Sequence, residues 1–171
     1  ITMTTTLHLD NANIADSIEQ PMVTIVIVPR ERFSYSQQSL ESVYAETDYP
    51  FELVYVDGGS SPELKAYLAA QSHEKQFKLI RTEHFLSPNR ARNLGIQAAR
   101  GKYIVFVDND VLVQKGWLQK LVDCAEETDA TVVGTLTCID SPIHEVVQTG
   151  GGTTYIEVRT EGTKTGRYAV Q

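Results

Sequence analysis

Short apolar runs that alternate with helical segments constrain the fold of this chain more than any other sequence feature. Continuous apolar runs are typical of strands buried on both faces of a parallel sheet. Strands are predicted at residues 23–28, 51–56, 77–81, 103–107 and 131–138. Helical spacing predicts helices between them, at residues 36–44, 62–71, 88–99 and 117–127. The alternation predicts an α/β fold of βαβ units with a largely parallel sheet.

Local signals mark several of the element boundaries. Ser61 and Pro62 are predicted as the cap and first position of the second helix, and Gly101 is expected to end the third. Residues 1–20 are rich in Thr and Asn without a sustained period, so an N-terminal extension is predicted there, followed by one domain over residues 21–171. Residues 153–159 are predicted as a late strand of an antiparallel hairpin. The glycines at 150–152 would either turn that hairpin or bring backbone close to a ligand, and both interpretations stay open.

Composition excludes several classes of protein. The chain has 171 residues, 42% of them hydrophobic, which is enough for one domain with a substantial core. A net charge of −7 argues against a general nucleic-acid binder. No apolar stretch approaches the ~20 residues of a transmembrane helix. The two cysteines, Cys124 and Cys138, suit neither a disulfide framework nor a zinc site. A cytoplasmic location is expected, with peripheral association at the inner membrane face left open.

Two acidic residues directly follow the fourth predicted strand, in the triplet Asp108-Asn109-Asp110. In α/β folds the carboxyl ends of the strands are where ligands bind. Carboxylates at this spacing suit Mg²⁺ or Mn²⁺, which keep positions open for water and phosphate oxygens. Asp and Asn are also common in turns and helix caps, so the triplet alone favours neither a metal site nor a turn.

Three segments together resemble the nucleotide-binding half of the GT-A-fold family 2 glycosyltransferases. They are V-T-I-V-I-V-P-R-E-R-F from Val23, F-E-L-V-Y-V-D-G-G-S from Phe51, and N-R-A-R-N-L-G-I-Q-A-A-R-G-K-Y-I-V-F-V-D-N-D from Asn89. The third is the most specific, because it joins A-R-N-x-G to a strand that ends in D-x-D. The resemblance covers residues 21–122. It implies a three-layer α/β/α sandwich and inverting transfer of a sugar from a nucleotide-diphospho-sugar.

The resemblance also implies a set of site residues. A divalent cation, Mn²⁺ or Mg²⁺, would be held by Asp108 and Asp110, with Asn109 between them as a spacer or polar contact. The donor would be a UDP-, GDP- or TDP-sugar, and the acceptor an unidentified glycan, lipid or protein. Neither a nucleic-acid partner nor a transmembrane segment is expected. Donor-nucleotide binding is predicted for Pro29, Arg30, Asp57, Arg90, Arg92, Asp108 and Asn109.

The chain departs from the family pattern at two places. Gly58 stands where the family's D-D-G-S motif has a second acid that contacts the base, which leaves the nucleotide specificity open. The first strand continues into P-R-E-R-F instead of P-x-Y-N. Arg30 or Arg32 would contact phosphate or stack there, or the segment is a solvated loop. Arg90 and Arg92 would neighbour the diphosphate, or form surface ion pairs with an acid such as Glu83.

The general base of an inverting transferase is not identified in this sequence. The resemblance implies an Asp or Glu in an E-D-type motif beyond the acidic triplet. After Gly150 the only acids are Glu157 and Glu161, and neither is in such a context. Truncation before the acceptor half is the favoured explanation, and a degenerate family member is the other.

The alternative function is therefore a non-catalytic nucleotide- or sugar-binding domain. A nucleotidyltransferase ranks last, because its G-x-G-T-R loop is absent.

Overall fold

A computed structural model describes residues 23–30, 32–139, 146–149, 155–161 and 164–170. The chain divides into two compact units, residues 1–117 and 118–171. The predicted extension over residues 1–20 and the glycines at 150–152 lie outside the described residues. The prediction of one domain over residues 21–171 stays a prediction.

A four-stranded parallel sheet forms the centre of the first unit, with strand order β3-β2-β1-β4. Its parallel pairing confirms the predicted βαβ organisation. Because all four strands run the same way, their carboxyl ends lie along one edge, called here the carboxyl edge. The strands are β1 (Val23–Val28), β2 (Glu52–Gly58), β3 (Lys78–Thr82) and β4 (Tyr103–Asp108). The helices are α1 (Ser36–Glu46), after a 3-10 turn at Phe33–Tyr35, α2 (Pro62–Glu74) and α3 (Pro88–Ala98).

Helix boundaries follow the predicted signals in one case and not in the other. The Ser61 side chain accepts a hydrogen bond from Leu64 N at 3.3 Å, and Pro62 is the first residue of α2, as predicted. The third helix ends at Ala98, because Ala99 is already extended, so Gly101 does not end it. A Cβ at Gly101 would lie 2.6 Å from Thr24 N. Gly101 therefore serves the close approach of the chain to β1.

Apolar side chains on both faces of the sheet are buried under helices. On one face Val26 and Val54 cluster with Ala91 of α3. Successive strand residues point to opposite faces, so the fully buried Ile25 lies on the other. Tyr55 shares that second face and hydrogen-bonds to Ser36, the first residue of α1. The predicted α/β/α layering is therefore confirmed.

The fourth strand is less buried than its sequence predicts. Ile104 and Phe106 are 37% and 39% exposed. The reason is that β4 lies at an edge of the four-stranded sheet, whereas α3 packs over β1 and β2. The prediction of a strand buried on both faces was therefore wrong, since an apolar run does not specify how many faces are covered. Ile96 of α3 is also exposed.

In the part of the chain that the structure describes after residue 116, the elements are a helix and two antiparallel strand pairs. Helix α4 (Trp117–Thr128) begins at the last residue of the first unit. Strand β5 (Thr137–Ile139) pairs with β6 (Val146–Thr149), so the strand predicted over 131–138 is reduced to a short segment. Strands β7 (Tyr155–Glu161) and β8 (Lys164–Val170) confirm the predicted late hairpin. Among the described helices, none is long and apolar enough to cross a membrane.

The packing of α3 on β1 predicts an unusual response to alanine at Gly95. A Cβ there would overlap Cγ1 of Val26, a fully buried side chain, so either Val26 or α3 would have to shift within the core. Although alanine favours a helix by about 1 kcal/mol, we expect overpacking to lower the free energy of unfolding of Gly95→Ala by roughly 1–3 kcal/mol. Denaturant unfolding measures the change. The control is Gly134→Ala, where a Cβ meets no atom within 4 Å, and an unchanged Gly95→Ala midpoint would contradict this close packing.

Glu52 is the first residue of β2, at the edge of the sheet opposite the carboxyl edge. Its contacts are expected to make a pH-dependent contribution to stability. Burial raises the pKa of Glu52, but hydrogen bonds from Thr24 and Arg100 outweigh it and hold the pKa below its usual value. Because the folded pKa is lowered, the stabilisation is complete above the unfolded pKa of about 4.3 and is lost as the pH falls through the folded value.

We expect Glu52→Gln to lower the free energy of unfolding at pH 7 by about 1 kcal/mol. The difference from the parent chain should shrink as the pH falls below about 4.3. Urea unfolding at a series of pH values measures it, with Glu127→Gln, at an exposed position of α4, as the control. A difference that stays constant with pH would show that the charge of Glu52 is not responsible.

Candidate functional site

The acidic triplet lies at the carboxyl edge, beside the end of β1. Asp108 is the last residue of β4 and pairs in register with Val28 of β1. The chain then turns, with Asn109 N donating to Val28 O at 3.0 Å and Val111 N donating to Asp108 O at 3.1 Å. This turn brings the triplet against the segment that leaves β1, where Pro29 is buried and Arg30 is exposed.

Asp108 lies between two arginines. Arg30 Nε is 3.2 Å from Oδ2 of Asp108, and a terminal nitrogen of Arg92 is 3.3 Å from Oδ1. Arg92 belongs to the first turns of α3, and its guanidinium carbon lies 5.9 Å from the centre of the Phe106 ring. One carboxylate oxygen therefore faces an arginine from the segment after β1, and the other faces an arginine from α3.

Asp110 pairs with a third arginine. Arg32 Nε is 2.9 Å from Oδ2 of Asp110. The carboxylate is only 13% exposed, whereas the Arg32 side chain is 68% exposed. The guanidinium carbon of Arg32 lies 5.6 Å from the centre of the Tyr35 ring. Arg32 thus covers a sheltered acid from the solvent side.

Asn109 is the buried anchor of the triplet, with 1% of its surface exposed. Its Oδ1 accepts from Arg30 N at 2.7 Å, and its Nδ2 donates to Ser36 Oγ at 2.7 Å. Ser36 in turn hydrogen-bonds to Tyr55, whose pKa is raised well above its usual value, mainly by burial. Asn109 therefore ties β4 to the end of β1 and the start of α1. It is a structural link between these elements, and its role as a spacer or polar contact toward a ligand stays a prediction.

Asp57 forms a separate ion pair at the same edge. Its carboxylate is 1% exposed, and its Oδ2 lies 2.9 Å from Nε of Arg81. Its Oδ1 accepts from Ser60 N at 3.3 Å. Arg81 also donates to Lys65 O at 2.8 Å. Sequence reasoning did not select Arg81, although its position at the end of β3, next to β2, is a signal that could have found it.

The space beside Gly58 is taken by the loop that follows β3. A Cβ at Gly58 would lie 3.0 Å from Leu86 N and 3.1 Å from Leu86 Cβ. The same loop lies over Gly59, where a Cβ would be 3.2 Å from Phe85 N. Any side chain at position 58 would thus require Leu86 to move. This crowding is the physical context in which glycine replaces the second acid of the family motif.

The structure gathers some of the predicted site residues and not others. Direct contacts connect Arg30, Arg92, Asp108 and Asn109, and Pro29 leads into this group. Arg90 is exposed, and within the described part of the chain no salt bridge joins it to Glu83. The ligand-binding roles of all these residues stay predictions.

Two carboxylates are available for a divalent cation. Among the described residues there is no group of three or more His, Cys, Asp or Glu side chains that could hold a metal. A cation here would depend on Asp108 and Asp110, which are 28% and 13% exposed. Mg²⁺ is commonly bound by one or two carboxylates together with water and substrate phosphates. The donor set therefore fits a cation that a phosphate-bearing ligand helps to hold.

Comparison with known proteins identifies the family. The family described as Glycosyl transferase family 2 matches residues 24–166, which is most of the chain. The chain belongs to glycosyl transferase family 2. This family domain is similar to the uncharacterised glycosyltransferase EpsJ of Bacillus subtilis, with 31% identity over 116 residues, and to the putative glycosyltransferase EpsH of the same organism, with 28% identity over 156 residues. These matches span 67% and 85% of this chain but only 33% and 44% of the relatives.

Solved structures confirm the GT-A fold of the family 2 domain. The mannosyltransferase PcManGT of Pyrobaculum calidifontis, solved with GDP-Man and Mn²⁺, is similar over 73% of this chain and 37% of its own, with a TM-score of 0.57 and 22% identity. TarS 1–349 of S. aureus, solved with UDP, is similar over 67% of this chain and 38% of its own, with a TM-score of 0.54 and 22% identity. At these identities the likeness shows the fold alone.

The hydrogen bonds of Asn109 predict a large stability loss for Asn109→Ala. The substitution leaves the buried hydroxyl of Ser36 and the backbone N–H of Arg30 without this partner. We expect the free energy of unfolding to fall by roughly 2–4 kcal/mol, since each unsatisfied group costs about 1–3 kcal/mol. Thermal and urea unfolding measure the loss. Asn93→Ala, at an exposed position of α3, is the control, and equal stability of the two variants would contradict the anchoring role.

Proposed function

We propose that this chain is the donor-binding part of an inverting glycosyltransferase that uses a nucleotide-diphospho-sugar and a divalent cation. The observation that supports this most is the meeting of Arg30, Arg92 and Asp108 at the carboxyl edge. Cations and carboxylates placed side by side suit a ligand that carries both a diphosphate and a metal ion. Family membership supplies independent support.

In this proposal each part of the site has a distinct task. Arg30 and Arg92 bind the diphosphate, Arg92 from the first turns of α3, where the helix dipole also favours an anion. Asp108 and Asp110 hold Mn²⁺ or Mg²⁺, which when bound offsets charge on the departing nucleoside diphosphate. Asn109 keeps both carboxylates at the sheet edge through its buried hydrogen bonds.

In this proposal the nucleoside lies near the ends of β1 and β2. The predicted contacts are Pro29 after β1 and Asp57 in β2, and Arg81 holds the Asp57 carboxylate in place. The UDP complex of TarS and the GDP-Man complex of PcManGT make both bases reasonable first probes. Acceptor binding and the general base are assigned to none of the described residues, so this proposal concerns donor binding and leaving-group stabilisation.

A calorimetric titration with UDP-, GDP- and TDP-sugars, with and without Mn²⁺, tests the proposed function. We expect one of these donors to bind, and Mn²⁺ to strengthen its binding. Asp110→Asn should reduce the Mn²⁺-dependent affinity by about 10-fold or more, because hydrogen bonds and contacts to charged groups are worth about 1.5–3 kcal/mol.

Asp48→Asn is the matched control for that titration, since it removes one carboxylate that is 71% exposed and lies outside the site. It should bind donor as the parent chain does. Absence of binding by every donor would overturn the proposed function. Donor binding that is indifferent to Mn²⁺ and to Asp110→Asn would overturn the metal role alone.

A further inference from the structure

Positive charge exceeds negative charge in one group of side chains at the carboxyl edge. The group consists of Arg30, Arg32, Arg92, Asp108 and Asp110. Three guanidiniums face two carboxylates, which leaves a net charge of +1. Arginines engage both carboxylate oxygens of Asp108 and Oδ2 of Asp110. A divalent cation and these arginines compete for the same carboxylates, and adding the cation alone would raise the local charge to +3.

Arg32 differs from the other two arginines in how it is held. The backbone of Arg30 is fixed by the Asn109 side chain, and Arg92 is part of α3. Arg32 lies outside helix and strand, its side chain is 68% exposed, and its Nε donates a 2.9 Å hydrogen bond to Oδ2 of Asp110. Its guanidinium also lies 5.6 Å from the centre of the Tyr35 ring. Because the Arg32 side chain is long and 68% exposed, it can change partner with little repacking of the core.

We propose that Arg32 is a further diphosphate-binding residue, and that it changes partner from Asp110 to the diphosphate when a divalent cation takes the Asp110 carboxylate. This inference rests on the proposed function. Arg32 keeps an ion pair throughout the exchange, because its guanidinium passes from a carboxylate to a phosphate. Without the diphosphate the displaced arginine has no anion to receive it, so the cation by itself binds weakly.

The exchange requires that cation and nucleoside diphosphate strengthen each other's binding. Such coupling is reciprocal, so the factor by which Mn²⁺ increases UDP affinity equals the factor by which UDP increases Mn²⁺ affinity. Couplings between sites are typically about 5- to 150-fold. If Arg32 is the competing group, its removal should help Mn²⁺ alone and harm UDP in the presence of Mn²⁺.

Isothermal titration of the full chain with MnCl₂ alone, UDP alone and UDP at saturating MnCl₂ tests this inference. For Arg32→Gln we expect Mn²⁺ alone to bind about 3- to 10-fold more tightly, UDP with Mn²⁺ to bind about 3- to 10-fold more weakly, and the coupling factor to fall accordingly. Arg32→Lys should retain part of the coupling, because the charge remains while the bidentate geometry is lost.

The control is Lys115→Gln, which removes one positive charge from an exposed ion pair with Asp48 outside the group. It should leave all three affinities unchanged. UDP binding with normal coupling in Arg32→Gln, or unchanged binding of Mn²⁺ alone, would overturn the exchange while leaving the proposed function intact. Absence of UDP binding in the parent chain under every condition would overturn both.

Discussion

The parallel pairing of β4 with β1 is the interaction on which the candidate site depends. It runs in register from Val23 and Tyr103 to Val28 and Asp108, so both strands end at the same level. Asn109 then continues the connection with side-chain bonds to Arg30 N and Ser36 Oγ. The positions of Arg30 and of the two acids follow from this connection, since Arg30 leaves β1 and the acids stand at the end of β4.

The electrostatic character of the site comes from cations that are distant in sequence. Arg30, Arg32 and Arg92 reach the acidic triplet from the β1 loop and from α3. The chain as a whole carries a net charge of −7, yet this local group has an excess of positive charge. An acidic protein can therefore carry a locally positive group, because nearby charges rather than the total charge dominate the local potential.

Sequence patterns were sufficient where a signal is local or repeats along the chain. The strand at Val23–Val28 has the predicted bounds, and Ser61 and Pro62 open α2 as expected, because capping depends on neighbouring residues. Sequence patterns failed where packing against another helix or strand decides whether a side chain is buried. Ile104 and Phe106 are part of an apolar run but lie at a sheet edge, so they stay partly exposed.

The sequence by itself determined the family, the α/β alternation and the place of the acidic triplet at the end of a strand. These follow from residue order, apolar periodicity and motif spacing. Only the tertiary structure decided which arginine meets which acid, that Asn109 is buried, and that Arg81 holds Asp57. Such pairings join residues far apart in the chain, and strand order and side-chain packing, which no local pattern encodes, bring them within bonding distance.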